Sequence, residues 1–319
     1  MSTAKRSEIL FLYDITWGNP NGDPNDANKP RIDEETGLNI VTDVRLKRTI
    51  RDELIAKGYE VLVKDTITED GFLADAKHRG IDFLPETAKA KASKKSEKDK
   101  LTQDELEAFK KNVKSCADIR MFGCVLPSDI KNASLQYTGP VQFKMGTSLH
   151  PVKLEFMKGT GAFAGSDEKN QKTFRQEYLL PYSLIRFYGL VNDRAAEVTE
   201  LSEEDVALML EAMWDGTKNL ITRTKAGQVP RVLIQIVYKT KDFYIGSLDK
   251  AIKYSYDGSG EAIREIKDGE LKLEKLKNIL ILNKEHLEKV VIKLDQEVGT
   301  DIDIAEELKK AGVTVEVMA

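Results

Sequence analysis

Residues 8–16 (EILFLYDIT) carry apolar side chains on both faces of an extended segment, Ile9, Phe11, Tyr13 and Ile15 on one and Leu10 and Leu12 on the other. Such a run predicts a central strand covered by helices on at least one side. The next stretch is crowded with Asn, Gly, Pro and Asp and predicts a long loop, because each proline fixes its own φ and restricts the residue before it. Thr42 or Asp43 then opens a helix in which Leu46, Ile50 and Leu54 share an arc of roughly 80°. Gly58 suits the end of that helix, and residues 59–66 (YEVLVKDT) predict a second strand.

Beyond residue 68 the strand pattern lapses. Residues 86–100 are lysine-rich and polar, and Thr102 with Glu105 forms a capping-box pattern ahead of a helix over 104–114. The block 68–134 therefore predicts a largely helical insertion. Strand character returns at 135–145, broken by Thr138, Gly139 and Pro140. The glycine-rich stretch 158–171 predicts the tip of a protruding hairpin over 153–177, with Met157 and Phe163 as its bulky residues. Residues 177–192 predict a long strand in which Pro181 marks an edge or a bulge. A helix from Ser202 to about residue 218 turns Val206, Leu208, Met209, Ala212 and Met213 inward, and VLIQIVY (232–238) predicts a buried strand. The remainder predicts a strand at 276–282, a short helix at 284–288, an apolar run at 290–294, an acidic helix and a last strand, VTVEV. The alternation predicts one α+β domain over 1–319, patterned like a split βαβ sheet.

Composition changes this picture little. A chain of 319 residues, 41% hydrophobic and 32% charged, describes a soluble globular protein. No apolar run approaches the ~20 residues of a membrane span, so no membrane partner is expected. Two cysteines, Cys116 and Cys124, argue against a disulfide framework, and the chain reads as cytoplasmic. The net charge of −4 is unevenly spread. From Asp295 onward seven acids face only Lys309 and Lys310. The near-neutral body leaves room for a local basic groove, and the tail offers an acidic face to a basic face on a neighbouring copy.

The chemistry concentrates between Trp17 and Asp52 (WGNPNGDPNDANKPRIDEETGLNIVTDVRLKRTIRD). A turn-rich loop running into a helix places backbone N–H groups and short amides beside a positive dipole end, an arrangement that suits a phosphate. On that helix Arg45, Lys47, Arg48 and Arg51 occupy the wheel from about 100° to 260°, opposite the apolar arc. The sector reads as a polyanion-facing surface or as an ordinary solvated face. Candidates for catalysis are thin. His78, His150 and His286 are isolated, and Cys116, Cys124 and His150 make no metal spacing. Asp23 and Asp26, in the loop, could hold a divalent metal beside a bound phosphate or could cap their own turns. No cofactor is expected.

The order apolar strand, GNPNGDP (18–24), PRIDEETG (30–37) and VTDVRLKRTIRD (41–52), followed by DIRMFG (118–123), TGPVQF (138–143) and LHPV (149–152), resembles the CRISPR type I backbone subunits. These coat the guide RNA of the Cascade surveillance complex, and the likeness is nearest to the I-B and I-C branches. The resemblance implies an RRM-like (ferredoxin-like) antiparallel sheet core, with the insertion as fingers and the hairpin as a thumb. It implies a non-catalytic, crRNA-binding subunit that stacks head to tail with its own copies, meets other Cascade subunits and presents the guide for pairing with a target DNA strand. Sequence-independent contacts with the phosphate backbone are expected from Asn19, Asn21, Arg31, Arg45, Lys47, Arg48 and Arg51, with Gln142, Lys144 and Ser148 as a second contact. Two other classes compete: a metal-dependent target-RNA endonuclease of the same superfamily, whose type III members cut with an aspartate in the corresponding loop, and a pure protein-interaction module.

Overall fold

The computed structural model describes residues 2–68, 71–93, 100–164 and 172–318. In chain order the first elements are β1 (Ser7–Gly18), β2 (Gly22–Asp23), β3 (Lys29–Ile32), β4 (Leu38–Val41) and α1 (Asp43–Ala56). Then come α2 (Ala76–Ile81), α3 (Glu86–Ser93), α4 (Gln103–Lys114), α5 (Ala117–Phe122), β5 (Gly123–Leu126), β6 (Leu135–Thr138), β7 (Val141–Phe143) and β8 (Gly146–Pro151). The hairpin strands β9 (Glu155–Ala164) and β10 (Lys172–Val191) lead to α6 (Asp193–Thr199), α7 (Glu203–Asn219) and β11 (Val229–Tyr238). The chain closes with β12 (Lys253–Tyr256), β13 (Gly269–Lys272), α8 (Glu274–Leu282), β14 (Leu287–Leu294), α9 (Ile304–Lys310) and β15 (Val315–Val317). The result is a mixed α+β fold whose resolved strand pairings are mostly antiparallel. Among the described residues no helix is long and apolar enough to cross a membrane.

The chain divides into two compact units, one of residues 8–47, 143–189 and 214–319, the other of 1–7, 48–142 and 190–213. In the first, the main sheet runs β15-β14-β11-β1-β10-β8-β4-β3-β2, with β9 paired to β10 off this path. β1 is buried from Ser7 to Ile15, as a strand with apolar residues on both faces requires. Leu10 and Leu12 join Tyr182, Leu184, Val232, Ile234 and Ile236 in one core, which α8 and α9 enter through Leu276, Leu280, Ile304 and Leu308. The other unit has its own core of Leu62, Phe83, Phe109, Val113, Ile119, Leu126 and Leu135. There the capping box of α4 forms in both directions between Thr102 and Glu105.

Four expectations are corrected. The long loop after β1 contains three short strands, because Arg31 and Ile32 of β3 pair with Ile40 and Asn39 of β4, which in turn pairs with β8. Residues 59–66 form no strand. The Leu62 and Val63 N–H groups donate to the Asp118 carboxylate, and Arg79 donates to the Val61 and Leu62 carbonyls, so side chains replace a sheet ladder. Residues 276–282 are helical, since Leu276 and Leu280 lie four apart on one buried face while Leu282 is exposed. Pro181 is not on an edge strand. β10 lies between β1 and β8, and Pro181 falls where pairing with β9 has ended at Leu179 and pairing with β8 has not begun, at Ile185. At that handover Nε2 of buried His150 accepts from the Leu184 N–H at 3.3 Å.

His150 Nδ1 faces the Pro151 and Gly260 carbonyls at 2.9 and 3.0 Å, which makes it the protonated nitrogen. Burial holds the imidazole pKa below the ordinary histidine value. A base whose pKa is depressed by folding leaves the unfolded chain binding more protons in acid. Its stabilising effect is therefore complete above about pH 6.5 and shrinks as the pH falls below that. Denaturant melts at pH 7 and pH 5 are expected to show a loss of stability that is smaller in His150→Phe than in the native chain, and equal losses would refute the assignment.

Candidate nucleic-acid interface

The loop after β1 is braced at nearly every polar group. Asn19 is buried; its N–H donates to the Thr224 carbonyl at 2.7 Å and its Nδ2 to the Asn28 carbonyl at 2.7 Å. Asn21 Oδ1 accepts from both the N–H and the hydroxyl of Thr42, each at 2.9 Å, and so ties the loop to the start of α1. Arg31 donates to the Asn21 and Gly22 carbonyls at 3.1 and 2.6 Å. The glycines of the motif are steric necessities. A Cβ on Gly18 would lie 2.8 Å from the Thr224 carbonyl, and one on Gly22 would lie 2.7 Å from the Asn28 carbonyl. Asp23 and Asp26 are engaged within the same turn. Asp23 Oδ1 accepts from the Asn25 N–H at 3.0 Å, and Asp26 pairs with Lys29 at 2.7 Å. Among the described residues no three His, Cys, Asp or Glu side chains gather where a metal ion could be held.

The four cations of α1 do not act alike. Arg51 pairs at 3.0 Å with fully buried Asp118, its guanidinium 5.2 Å from the centre of the Phe122 ring. Lys47 pairs with Asp43 one turn back at 3.0 Å, and exposed Arg48 pairs with Asp52 one turn on at 2.8 Å. On the wheel Asp52 falls at about 240°, inside the cation sector, and Asp43 at about 60°, one turn from Lys47, so each acid pairs with a cation four residues away. Arg45 is half-buried in the unit that contains the loop, and its charge is felt by Lys225, a residue that sequence reasoning passed over. Burial, and then the like charge of Arg45, push the Lys225 ammonium below the usual lysine range. Lys225 follows Thr224, whose carbonyl holds Asn19, so loop, helix start and the turn before β11 converge. The one sequence clue was a pair of cations, Arg223 and Lys225, in a turn-forming stretch ending at Gly227.

The second group of expected contacts separates. Ser148 is buried; it accepts from the Asn39 N–H and donates to the His150 carbonyl, which makes it a brace and removes it as a surface contact. Gln142 is exposed and donates to the Gly139 carbonyl. Lys144 is exposed, with its ammonium 4.6 Å from the centre of the Tyr188 ring and 3.7 Å from Asp249. Met157 stands half-exposed on β9, whereas the Phe163 side chain and residues 165–171 lie outside the described residues. The acids of the C-terminal segment are largely committed: Asp295 and Glu297 to Arg231, Asp303 to the start of α9, Glu316 to Lys289.

The family model described as CRISPR-associated protein Cas7 matches residues 5–274. The chain belongs to the Cas7 family. A CRISPR-associated protein Cas7 of Haloferax volcanii is 33% identical over 290 residues, covering 84% of this chain and 80% of the relative. Among solved structures, a chain of a CRISPR RNA-guided surveillance complex, pre-nicking, superposes with a TM-score of 0.57 at 17% identity, over 96% of this chain and 99% of the other. A second CRISPR RNA-guided surveillance complex chain gives 0.50 at 14% identity, over 96% and 98%. At these identities the likeness speaks to the fold of this Cas7-family chain.

The pairing pattern on α1 sorts its cations into structural and surface groups. Arg51→Ala strands a buried carboxylate and is expected to cost about 2–4 kcal/mol in a denaturant melt, whereas Arg48→Ala is expected to cost less than about 0.5 kcal/mol. Equal costs would show that the Arg51–Asp118 pair is not what secures this helix.

Proposed function

We propose that this Cas7-family chain is a guide-RNA-binding backbone subunit of a type I CRISPR surveillance complex, gripping the phosphodiester chain without reading its bases. The observation that carries the reading is the braced loop of Asn19, Asn21 and Arg31 fastened to the start of α1, with the cations Arg45 and Lys225 in the same unit. Burial and the like charge of Arg45 lower the Lys225 pKa, so the two half-buried cations concentrate positive potential beside a loop already made rigid. Contacts of this kind position a strand and leave base edges open, which fits a guide whose specificity comes from pairing with a target DNA strand. Family membership and the surveillance-complex folds support the assignment, with copies of the chain following one another along the guide beside other subunits of the complex. The central order β11-β1-β10-β8, with α1 between β1 and β8 in the sequence and α6 and α7 between β10 and β11, supports an RRM-like core. In that scheme residues 68–134 serve as fingers and the β9–β10 hairpin as a thumb. The role is structural: Asp23 and Asp26 work as turn-forming acids, so strand cleavage is not the favoured activity.

Co-purification tests this directly. Native protein expressed with a guide is expected to carry RNase-sensitive RNA in large particles, and an Arg45→Ala/Lys225→Ala variant to lose most of it. In titrations with single-stranded RNA the double variant is expected to lower the slope of log affinity against log salt by about 1.4, roughly 0.7 for each phosphate released. A double variant that retains RNA and the native salt slope would sink the proposal.

A further inference from the structure

A second group of cations gathers around the short turn Leu248–Ala251. Arg186, half-buried on β10, donates from Nη1 to the Asp249 and Ile252 carbonyls at 2.6 and 3.3 Å. These bonds go to backbone and not to a carboxylate. Burial pushes the guanidinium below the usual arginine range, and the Asp249 charge only opposes that fall. Exposed Lys144 brings its ammonium to 3.7 Å from the Asp249 carboxylate, whose buried Oδ1 accepts no hydrogen bond. Lys250 and Lys253, both exposed, each follow one of the two residues whose carbonyls Arg186 holds. Among the described residues neither pairs with an acid. Lys253 also stands directly opposite Lys272 across β12 and β13, an unfavourable like-charge pairing, although Glu270 holds Lys272. Lys144, Arg186, Lys250 and Lys253 thus share one carboxylate, in a chain whose net charge is −4.

The cluster lies across the sheet from the loop after β1. Arg186 alternates along β10 with Leu184 and Tyr188, which belong to the core of Leu10 and Leu12. Phe187 points the other way and stacks on Tyr13, whose hydroxyl feels the charge of Arg45. A strand lying along the loop and α1 is therefore on the opposite face.

We infer that Lys144, Arg186, Lys250 and Lys253 hold the phosphodiester backbone of a second nucleic-acid strand, separate from the guide. The inference rests on the RNA-binding reading in that the guide occupies the first site. Three of the four cations are lysines, a residue depleted from protein interfaces and well suited to phosphate, which favours a nucleic acid over an acidic protein. Arg186 fixes the turn, and the lysines on either side of it need read neither base nor sugar.

Guide-loaded particles titrated with a short labelled single-stranded DNA that has no complementarity to the guide test this. Native particles are expected to bind the DNA. Lys144→Ala/Lys250→Ala/Lys253→Ala, three surface changes, is expected to weaken that binding about tenfold and to leave the guide content unchanged. The slope of log affinity against log salt is expected to fall by about 2, roughly 0.7 for each of the three phosphates released. The inference is overturned if native particles do not bind the DNA, or if the triple variant binds it like the native chain. Loss of guide RNA by the triple variant also overturns it, because the two clusters would then serve one strand. A change in particle size alone overturns it too, by making the cluster a contact between copies. Should native protein carry no guide, the reading of Arg45 and Lys225 fails by itself, and the same titration of RNA-free protein decides the second cluster.

Discussion

A strand buried on both faces has no water to solvate polar side chains, and β1 carries two carboxylates. Glu8 and Asp14 lie on the same face as Leu10 and Leu12, one at each end of the apolar pair. An isolated buried carboxylate costs several kcal/mol, so each must be surrounded by donors. Glu8 takes the hydroxyls of Tyr188 and Tyr238 and the N–H groups of Ile245 and Gly246. Asp14 takes the Tyr182 hydroxyl and the Arg231 guanidinium, each at 2.9 Å, and Arg231 also holds Asp295 and Glu297. Burial raises the Asp14 pKa while the Arg231 charge opposes that rise, so the carboxylate and the guanidinium depend on each other. Two charges on one strand thereby fix its neighbours β10 and β11 and two distant turns.

That fixed sheet gives the candidate interface its rigidity. β1 ends at Gly18, against the Thr224 carbonyl, with Trp17 held at φ 47° and half-exposed. Holding a bulky residue in the left-handed region costs roughly 1–2 kcal/mol and persists only where the surroundings dictate it. Here the strand before it is locked and the loop after it is hydrogen-bonded through Asn19, Asn21 and Arg31. A preformed anchor loses little conformational entropy when it grips a flexible polyanion.

The same sheet carries the hairpin. β10 runs from the β9 pairing at its start to β8 near its end, so Tyr178 stands on a strand continuous with the core and Phe156 on the strand paired with it. The proposed phosphate-facing cations Arg45 and Lys225 and the aromatic pair Phe156 and Tyr178 thus share one folded unit. Their physics differs, since one is screened by salt and the other is not.

The sequence by itself determined β1, the span of α1, the capping box of α4 and the buried strand β11, because apolar period and cap chemistry are local properties. It also singled out the loop of 18–24, where proline and the Asn-Gly pair exclude helix whatever surrounds them. It misplaced α8, whose short apolar run suits either period until the partner surface is known. Only the tertiary structure decided which α1 cations face water, because Asp118 reaches Arg51 across 67 residues of sequence. Only it showed that Ser148 is enclosed and that Lys225 stands by Arg45, 180 residues apart along the chain. Charge and turn propensity are written residue by residue. Partnership belongs to pairs, and long-range pairs exist only once the chain has closed upon itself.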